Sequence, residues 1–352
     1  MTPTADVVVV GAGIVGASVA YHLARAGSVV VLLDKALPAS GATADSFAWI
    51  GRGTADAPPE QLPLRRSVLE DYRRLERELP AVHVRWTGSL SWRYDEPAVT
   101  DDDPRDRRDI DASRVAQLEP HLLTPPVRAA LRADDGAVDP VAVVEALIGG
   151  ARDHGATIRT GIAAQKLTVR DDTVLGVQTS AGFLPARTVV LASGADAPTL
   201  CAPLGFALPV TASPALFMRF TAPPGVVQTL VANDQLEVRE TADGHLLVPW
   251  KYDGQTSQQD LDRAGEQALG QLRSSFSGTG DVELVSVRVG MRPMPADGSP
   301  VIGPVPTAPG AYLAVMHSGV TLAPTVGRLV AREITDGTDA DQLRPLRPSR
   351  FT

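Results

Sequence analysis

The sequence contains little cysteine and little lysine. Its one cysteine, Cys201, excludes a disulfide within the chain and any metal site built from several cysteines. A single thiol is compatible with a reducing cytoplasm, where we expect the protein to reside. Only Lys35, Lys166 and Lys251 are lysines among the 33 basic residues. Arginine is therefore abundant throughout, and no single arginine indicates a function by itself.

The sequence also has no long hydrophobic run and no basic leader. A membrane-spanning helix needs about 18 or more apolar residues in a row, and no stretch here reaches that length. The residues before Val7 lack the basic region of a signal peptide. A net charge of −8 argues against nucleic acid or an anionic membrane as a partner. With 352 residues, the chain is long enough for two domains.

The N-terminal segment has the pattern of a nucleotide-binding unit. An apolar run at 7–10 leads into Gly11, Gly13 and Gly16 with the spacing G-x-G-x-x-G, and a helical pattern follows. A second apolar run ends at Asp34. This order of strand, glycine turn, helix, strand and acid is typical of a dinucleotide-binding βαβ unit. The residues expected to contact the cofactor are Gly11, Ala12, Gly13, Ile14, Val15, Gly16, Asp34 and Lys35.

Each glycine has a physical role in this pattern. Gly11 permits the tight turn after the strand, Gly13 leaves room for a pyrophosphate, and Gly16 lets the helix pack against the strand. The phosphates would meet amides at a helix N-terminus, and Asp34 would accept hydrogen bonds from ribose hydroxyls. The unit alone does not distinguish NAD from FAD, and a βαβ unit that binds nothing is the alternative.

Four segments between residues 40 and 111 have distinct patterns. Ser40 to Ser46 is rich in small and hydroxyl-bearing residues, which suits either contact with a phosphate or flat ring, or an ordinary polar loop. The pattern at 63–79 predicts a helix with a solvated face of Arg and Glu at i,i+4 spacing and no chemistry required. Residues 83–94 alternate like a pair of strands. The acidic segment 95–111 predicts an exposed excursion.

The middle of the chain predicts a helix and then a set of strands. Asp139 and Pro140 have the residue types of a helix N-cap and first helical position. Alternating segments between residues 156 and 191 predict strands. The last of them is entirely apolar and meets the small-residue turn Ser193-Gly194. The nucleotide-binding domain is therefore expected to resume there after an insertion.

The remainder predicts a second β-rich region and a final strand and helix. The β-rich region spans residues 210–289. Residues 284–305 are dense in proline and are expected to form a loop. The last segment reads as a strand, a glycine turn and a helix, with Pro324 near the helix start.

Five stretches of the chain together carry a resemblance to a known family. They are VVVVGAGIVGASVAYHLARAG near the N-terminus, VDPVAVVEAL and TVVLASGADA in the middle, and GMRPMPADGSPVIGPV and AVMHSGVTLAP near the C-terminus. The chain resembles the FAD-dependent D-amino-acid oxidase superfamily, and within it the glycine oxidase and sarcosine oxidase branch. The C-terminal motif is distinctive and lies in the right order, so the resemblance favours FAD over NAD.

The resemblance implies an α/β fold of two domains. A Rossmann-like FAD-binding domain would be assembled from residues 1–80, 137–210 and 288–345. A substrate-binding domain built on a large mixed or antiparallel sheet would be formed by residues 81–136 and 211–287. The cofactor contacts implied beyond the N-terminal unit are Ser40, Gly41, Ala42, Thr43, Ser46, Ala164, Ser193, Gly194, Arg292, Gly319, Val320, Thr321 and Leu322. The last four would face the pyrimidine end of the flavin, where a helix N-terminus favours negative charge.

The resemblance assigns Arg292 to the carboxylate of the substrate. A planar guanidinium forms two parallel hydrogen bonds with a carboxylate. Pro293 and Pro295 would stiffen the loop that carries it. The alternative is one more surface arginine.

Four other side chains are further candidates. His317 stands just before the glycine of the C-terminal motif, and it is equally well explained as a packing residue. Arg52 follows a strand expected to pass the flavin. His245 and Trp250 flank a strand expected to face the substrate cavity. All four are weaker candidates than the arginine of the C-terminal motif.

The resemblance also bears on how FAD is held. Sarcosine oxidases attach FAD covalently through a cysteine near the position of Met291. The one cysteine of this chain, Cys201, is far from that position in sequence. We therefore expect noncovalent FAD.

The implied activity is oxidation of glycine or of an N-substituted glycine-type amino acid. A hydride would pass from the substrate α-carbon to flavin N5, and the imine would hydrolyse to glyoxylate or another 2-oxo acid and an amine. O2 would reoxidise the flavin and give hydrogen peroxide. The alternatives are a D-amino-acid dehydrogenase of the same fold with a quinone or protein acceptor, a flavin-binding sensor without turnover, and an NAD-dependent dehydrogenase. No metal site is expected, and the sequence leaves a homo-oligomer open.

Overall fold

The computed structural model describes residues 5–53, 58–93 and 107–352. The predicted excursion 95–111 lies outside the described residues except for 107–111. The helices are α1 Ile14–Arg25, α2 Leu62–Arg65, α3 Val68–Glu78, α4 Ala112–Leu118, α5 Pro140–Asp153, α6 Ala197–Cys201, α7 Gln258–Ser275 and α8 Gly319–Asp336. The strands are β1 Ala5–Val10, β2 Val30–Leu33, β3 Trp49–Ile50, β4 Ser89–Ser91, β5 Arg108–Asp111, β6 Arg128–Arg132, β7 Gly136–Ala137, β8 Thr157–Arg159, β9 Ala164–Arg170, β10 Thr173–Thr179, β11 Gly182–Leu191, β12 Val210–Thr221, β13 Leu230–Ala232, β14 Glu237–Glu240, β15 His245–Trp250, β16 Leu284–Pro295, β17 Val301–Pro304 and β18 Ala311–Val315.

The first sheet is organised around β1. Its strand order is β17-β18-β11-β1-β2-β8, and β10 and β9 extend it from β11. β1 pairs in parallel with both β11 and β2, and Val10 is in register with Leu191 and with Leu33. The carboxyl ends of these three strands therefore meet at one edge, where open α/β sheets bind their ligands.

Helices α1, α5 and α8 contribute the core on one side of this sheet. Small residues allow α1 and α8 to pack closely. A Cβ atom at Gly327 of α8 would lie 2.2 Å from the Oγ atom of Ser18 in α1. The same hydroxyl donates a hydrogen bond of 2.7 Å to the carbonyl of Ala323. This contact fixes the two helices against each other.

The second sheet is mixed and has the order β16-β12-β15-β14-β13-β4-β6-β5. Within this sheet, the adjacent strands β13 and β4 pair in parallel. Helix α7 covers one face, where it packs on Leu216 and Met218 of β12. On the other face, Phe217 of β12 packs with Phe47 and Trp49, which follow the first two strands of the chain. The second sheet thus turns one face toward the N-terminal unit.

Residues 284–305 form strands rather than the predicted loop. β16 pairs with β12 from Leu284 to Pro295, and β17 follows at Val301–Pro304. β16 is the edge strand of its sheet, and edge strands tolerate proline because they need N–H donors on one side only. The boundary predicted at residue 288 falls inside this strand. The division of the chain into two domains remains a prediction.

Two local predictions also need correction. The helix predicted over 63–79 is divided, because α2 ends at Arg65 and α3 begins at Val68. Of the strand pair predicted over 83–94, the described residues contain only β4 and an isolated bridge at Arg85. Gly88 has a φ of +74°, and this left-handed conformation interrupts the extended chain before β4.

Candidate functional site

The candidate site lies where the carboxyl ends of β1, β11 and β18 meet the N-termini of α1 and α8. At these N-termini, a Cβ atom at Gly319 of α8 would lie 3.3 Å from the Cγ2 atom of Val15 in α1. Two adjacent helix N-termini concentrate partial positive charge and amide donors. Such an arrangement favours a negatively charged ligand.

The glycine turn between β1 and α1 has no room for side chains. Gly11 has a φ of +106°, and a Cβ atom there would lie 2.5 Å from the carbonyl oxygen of Ala192. A Cβ atom at Gly16 would lie 1.8 Å from the carbonyl oxygen of Gly11. The turn itself therefore requires glycine at both positions.

The small-residue segment folds over the N-terminus of α1. The Oγ1 atom of Thr43 accepts a hydrogen bond of 3.1 Å from the amide of Ile14, and the amide of Ala39 donates one of 3.0 Å to the carbonyl of Ala12. A Cβ atom at Gly13 would lie 3.2 Å from the same Oγ1 atom. The segment therefore borders the space that Gly13 leaves open. The other predicted contacts in this segment are Ser40, Gly41, Ala42 and Ser46.

Asp34 follows β2 and lies beside the glycine turn. Its Oδ2 atom accepts a hydrogen bond of 2.6 Å from the amide of Ala12, and its Oδ1 atom accepts one of 2.8 Å from the amide of Ala36. A carboxylate has further lone pairs with which to accept from ribose hydroxyls. The amide of Ile162 donates a hydrogen bond of 2.9 Å to the carbonyl of Asp34. Ala164 follows Ile162 by two positions, so the start of β9 lies near Asp34.

The turn after β11 borders the glycine turn on its other side. A Cβ atom at Gly11 would lie 2.9 Å from the Cα atom of Ser193. The hydroxyl of Ser193 is buried and has no hydrogen-bond partner among the described residues. Gly194 follows with a φ of +57°. Lys35 forms an ion pair of 2.6 Å with Asp196 in the same turn, and this hydrogen bond raises the pKa of Lys35.

The first turn of α8 contains the four predicted flavin contacts, residues 319–322. The hydroxyl of Tyr72 donates a hydrogen bond of 2.6 Å to the carbonyl of Val320. Proline has no N–H group, so Pro324 cannot supply the helical hydrogen bond that this carbonyl would otherwise accept. Tyr72 replaces the missing donor and keeps the start of α8 in place.

Arg292 lies on β16 and not on a loop. Its Nη2 atom donates a hydrogen bond of 3.0 Å to the Oγ atom of Ser213, and its Nε atom donates one of 3.4 Å to the carbonyl of the same residue. Arg292 and Ser213 are partners in the register of β16 and β12. The next residue, Pro293, lies 3.9 Å from the position of a Cβ atom at Gly194. β16 therefore brings Arg292 to the carboxyl end of the first sheet.

His317 lies between β18 and α8. Burial, together with the positive charges of Arg292 and Arg65, lowers the pKa of His317 to about 4. The imidazole is therefore uncharged at neutral pH. Arg65 approaches the residue that follows His317, since its Nη2 atom lies 3.4 Å from the Oγ atom of Ser318.

Arg65 was not among the predicted site residues. It is only 8% exposed, and its Nη2 atom lies 3.4 Å from the Oγ atom of Ser318, the residue before α8. A signal was present in the sequence, because Arg65 shares helical spacing with the buried Leu69 and Tyr72, four and seven positions later. The pattern over 63–79 predicts a solvated face of Arg and Glu, and it does not distinguish the buried Arg65 from the exposed arginines of that face.

Arg52 lies in the same region of the structure. The preceding strand, β3, contacts α8, since the hydroxyl of Thr321 donates a hydrogen bond of 2.7 Å to the carbonyl of Trp49. Next to Arg52, a Cβ atom at Gly53 would lie 3.0 Å from the Nη1 atom of Arg65. The structure thus brings Arg52 near the start of α8.

His245 and Trp250 are not brought to the site. His245 pairs with Thr221, eight residues along β12 from Ser213, which corresponds to about 26 Å in a strand. Trp250 pairs with Leu216 and packs on the face covered by α7. Side chains alternate between the two faces of a strand, so this register turns Trp250 away from the face that carries Ser213.

Three further features concern metals, thiols and membranes. Among the described residues, no group of three or more His, Cys, Asp or Glu side chains is arranged to hold a metal ion. Cys201 is fully buried in α6, and burial raises the pKa of its thiol to about 12. No helix in 5–53, 58–93 or 107–352 is long and apolar enough to cross a membrane.

Comparison with known proteins identifies the family. The family model described as FAD dependent oxidoreductase, DAO, matches residues 6–333. The chain belongs to the DAO family of FAD-dependent oxidoreductases. This result confirms the predicted family and the prediction of FAD rather than NAD as cofactor.

Members of the DAO family and related structures match this chain over nearly its whole length. The chain is 28% identical to the D-amino acid dehydrogenase of Cereibacter sphaeroides, over 95% of this chain and 91% of the relative. It is 25% identical to the glycine oxidase of Bacillus licheniformis, over 93% and 92%. The crystal structure of glycine oxidase from Geobacillus kaustophilus has a TM-score of 0.89 at 23% identity, covering 99% of each chain. The predicted α/β fold class with a large mixed sheet is thereby confirmed.

The residues at this DAO-family site fit FAD. The pyrophosphate and the reduced ring of FAD are negatively charged, and the site offers the N-termini of α1 and α8 together with Arg65 and Arg292. The buried hydroxyl of Ser193, which has no partner among the described residues, is available to a polar atom of the cofactor. The carboxylate of Asp34, beside the glycine turn, has the chemistry to accept hydrogen bonds from ribose hydroxyls.

Proposed function

We propose that this protein is a DAO-family oxidase of glycine or of an N-substituted glycine-type amino acid. FAD binds noncovalently in this proposal, and O2 is the electron acceptor. The products are glyoxylate or another 2-oxo acid, an amine and hydrogen peroxide. The observation that carries the proposal is Arg292, which β16 holds against Ser213 and whose charge acts on His317.

Arg292 is proposed to hold the carboxylate of the substrate. The two bonds to Ser213 orient the guanidinium and use two of its five N–H groups. The remaining groups suffice for two parallel hydrogen bonds to a carboxylate. A carboxylate fixed at this point sets the position of the α-carbon, and such orientation of the reacting atoms accounts for a large part of enzymatic rate enhancement.

The charges around the site also determine which form of the amine binds. When bound, FAD would supply the hydride acceptor and the route for two electrons to O2. The amine must be uncharged to release a hydride from its α-carbon. Burial, followed by the charges of Arg292 and Arg65, lowers the pKa of His317, and the same two charges would disfavour an ammonium group. His317 remains uncharged at neutral pH and adds no further repulsion.

The cofactor contacts form the second part of the proposal. Cys201 is buried in α6 and lies in the core on the other side of the first sheet, which supports noncovalent FAD. The residues proposed to contact FAD are Gly11, Ala12, Gly13, Ile14, Val15, Gly16, Asp34, Lys35, Ser40, Gly41, Ala42, Thr43, Ser46, Ala164, Ser193, Gly194, Arg292, Gly319, Val320, Thr321 and Leu322.

A D-amino-acid dehydrogenase is the second candidate function. It is supported by the relative of that name in Cereibacter sphaeroides, which is 28% identical. Such an enzyme would use the same carboxylate contact and pass electrons to a quinone or to a protein. Peroxide production under air distinguishes the two functions.

Anaerobic reduction of the bound flavin by a panel of amines tests the proposal. The panel contains glycine, sarcosine, bulkier N-alkyl and N-carboxymethyl glycines, and D-amino acids. Bleaching by a glycine-type substrate and stoichiometric peroxide on admission of air support the oxidase. Bleaching by D-amino acids without peroxide supports the dehydrogenase. If no amine of the panel bleaches the flavin, both the oxidase and the dehydrogenase are contradicted, and a flavin-binding sensor without turnover remains.

Substitution of Arg292 tests the carboxylate contact. Arg292→Ala should raise KM about 100-fold or more, because it removes a charged hydrogen-bonded partner. The KM of Arg292→Lys should lie between those of the wild type and the alanine variant, since an ammonium keeps the charge but cannot donate two parallel hydrogen bonds. Arg263→Ala is the control, because that arginine is exposed on α7. An unchanged KM in Arg292→Ala with full FAD content contradicts the assignment.

A further inference from the structure

Arg65 is a buried cation without a counter-charge among the described residues. It is 8% exposed. Its Nε and Nη2 atoms donate hydrogen bonds of 3.2 Å and 3.0 Å to the Oε1 atom of Gln61, and Nη2 is 3.4 Å from the Oγ atom of Ser318. All of these partners are uncharged.

The surrounding structure holds the guanidinium in this position. The Nε2 atom of Gln61 donates a hydrogen bond of 2.9 Å to the carbonyl of Gly298, so the amide that accepts from Arg65 is itself fixed. On another side, a Cβ atom at Gly53 would lie 2.9 Å from the Cδ atom of Arg65. The side chain is therefore packed on several sides and does not extend into water.

Such an arrangement is unfavourable unless a negative charge joins it. A buried charge is costly without compensation, and arginine stays protonated even when burial lowers its pKa, as it does for Arg65. Ser318 stands at the N-terminus of α8, where the helix contributes further positive charge. Arg292 is a further cation, whose charge together with burial and Arg65 lowers the pKa of His317, the residue before Ser318.

We propose that Arg65 is a positioning residue that stabilises the negative charge acquired by FAD on reduction. Two electrons and one proton enter the ring, so one negative charge remains. Arg65 acts on it through Ser318 and the first turn of α8, and it thereby raises the reduction potential of the bound cofactor. The inference rests on the proposed placement of the flavin beside residues 319–322.

The burial of Arg65 favours the cofactor over the substrate as the group it serves. A second substrate carboxylate would need direct contact with the guanidinium, and only 8% of the residue is exposed. A charge that acts through Ser318 needs no such contact. The substrate carboxylate is already assigned to Arg292 in the proposed function.

The test compares Arg65→Met with Arg66→Met in FAD-loaded protein. Arg66 is the exposed neighbour in sequence and serves as the matched control. Two properties are measured without any amine substrate: the two-electron reduction potential, and the affinity for sulfite, whose addition to oxidised flavin also leaves a negative charge on the ring. Arg65→Met should weaken sulfite binding at least tenfold. The equilibrium constant for reduction should fall about tenfold, which equals about 30 mV.

Three additional variants make the result decisive. Arg65→Lys should retain most of the wild-type potential because it retains the charge. Ser318→Gly removes the hydroxyl that Arg65 contacts, tolerates the φ of +60° at this position, and should shift the potential in the same direction as Arg65→Met by a smaller amount. Arg65→Gln replaces Arg65→Met if the latter does not retain FAD.

Two outcomes would overturn the inference. One is an unchanged potential and unchanged sulfite affinity in an FAD-loaded variant that lacks the charge. The other is an effect confined to KM for substrates with a second carboxylate, which would assign Arg65 to the substrate. Because sulfite and dye titrations use no amine, they give a result even if the proposed substrate is wrong.

Discussion

The Nη2 atom of Arg292 lies 3.0 Å from the Oγ atom of Ser213, directly across the pair of strands β16 and β12. The serine fixes one edge of the guanidinium and leaves the other donors available. A single hydrogen bond of this kind contributes about 0.5–1.5 kcal/mol.

Removal of this hydroxyl should weaken the binding of the substrate carboxylate by Arg292. Ser213→Ala is expected to raise KM about three- to tenfold, as measured by steady-state kinetics with the best substrate of the panel. Ser286→Ala on β16 is the control. An unchanged KM in Ser213→Ala would show that the serine does not orient Arg292.

Substitution of Gly11 should disrupt the glycine turn. Gly11→Ala places a Cβ atom 2.5 Å from a backbone oxygen at a φ of +106°, and such strain costs about 1–3 kcal/mol or more. We expect a lower Tm and loss of FAD, measured by thermal unfolding and by the flavin absorbance of the purified protein. Gly270→Ala is the control, and it is expected to change stability in the opposite direction. That glycine is exposed in α7 with open space around it, so alanine should stabilise by about 0.5–1 kcal/mol.

Tyr72 and Pro324 should be thermodynamically coupled. Tyr72→Phe leaves the buried carbonyl of Val320 without its donor, at an expected cost of about 1–3 kcal/mol in the free energy of unfolding. Pro324→Ala restores a backbone N–H for that carbonyl. The cost of Tyr72→Phe should therefore be smaller in the Pro324→Ala background, as a double-mutant cycle in urea can measure. Equal costs in both backgrounds would rule out the compensation.

His22 should make the protein less stable at mildly acidic pH. Its Nδ1 lies 2.7 Å from the carbonyl of Ser18, which can only accept, so Nδ1 carries the proton and Nε2 accepts from Arg74 at 3.0 Å. Burial lowers the pKa of His22 from 6.5 to about 4. Between these values the unfolded chain binds a proton that the folded chain does not, so stability falls as the pH decreases.

Unfolding in urea at several pH values measures this effect. From pH 7 to pH 4.5, the wild type should lose about 2 kcal/mol more than His22→Gln, which cannot titrate at this position. His83→Gln is the control, because His83 is exposed, and it should follow the wild type. Parallel pH profiles for the wild type and His22→Gln would contradict the lowered pKa.

Local patterns in the sequence predicted the parts of the fold that depend on neighbouring residues. The start of α5 is an example: Asp139 accepts hydrogen bonds from the amides of Val141 and Ala142, and Pro140 is the first helical residue. The strand, glycine turn and helix at 5–25 are of the same kind. In each case a few adjacent residues determine the backbone conformation.

The remaining features depend on contacts between distant parts of the chain. Trp250 lies on the α7 face because of its pairing with Leu216, and no local pattern specifies that register. Pro293 favours a loop when only its neighbours in sequence are considered. Its place on an edge strand follows from the order of the whole sheet, which no local pattern specifies. Arg65 belongs to the site because α2 packs near Ser318, more than 250 positions later.

The order of strands in the first sheet has a consequence for biosynthesis. β18 completes the sheet beside β11, and α8 follows it near the end of the chain. While the ribosome is still translating residues 192–310, the edge of β11 that β18 later covers remains open, and open edges invite incorrect pairing. The first sheet is therefore completed only after β18 has been synthesised.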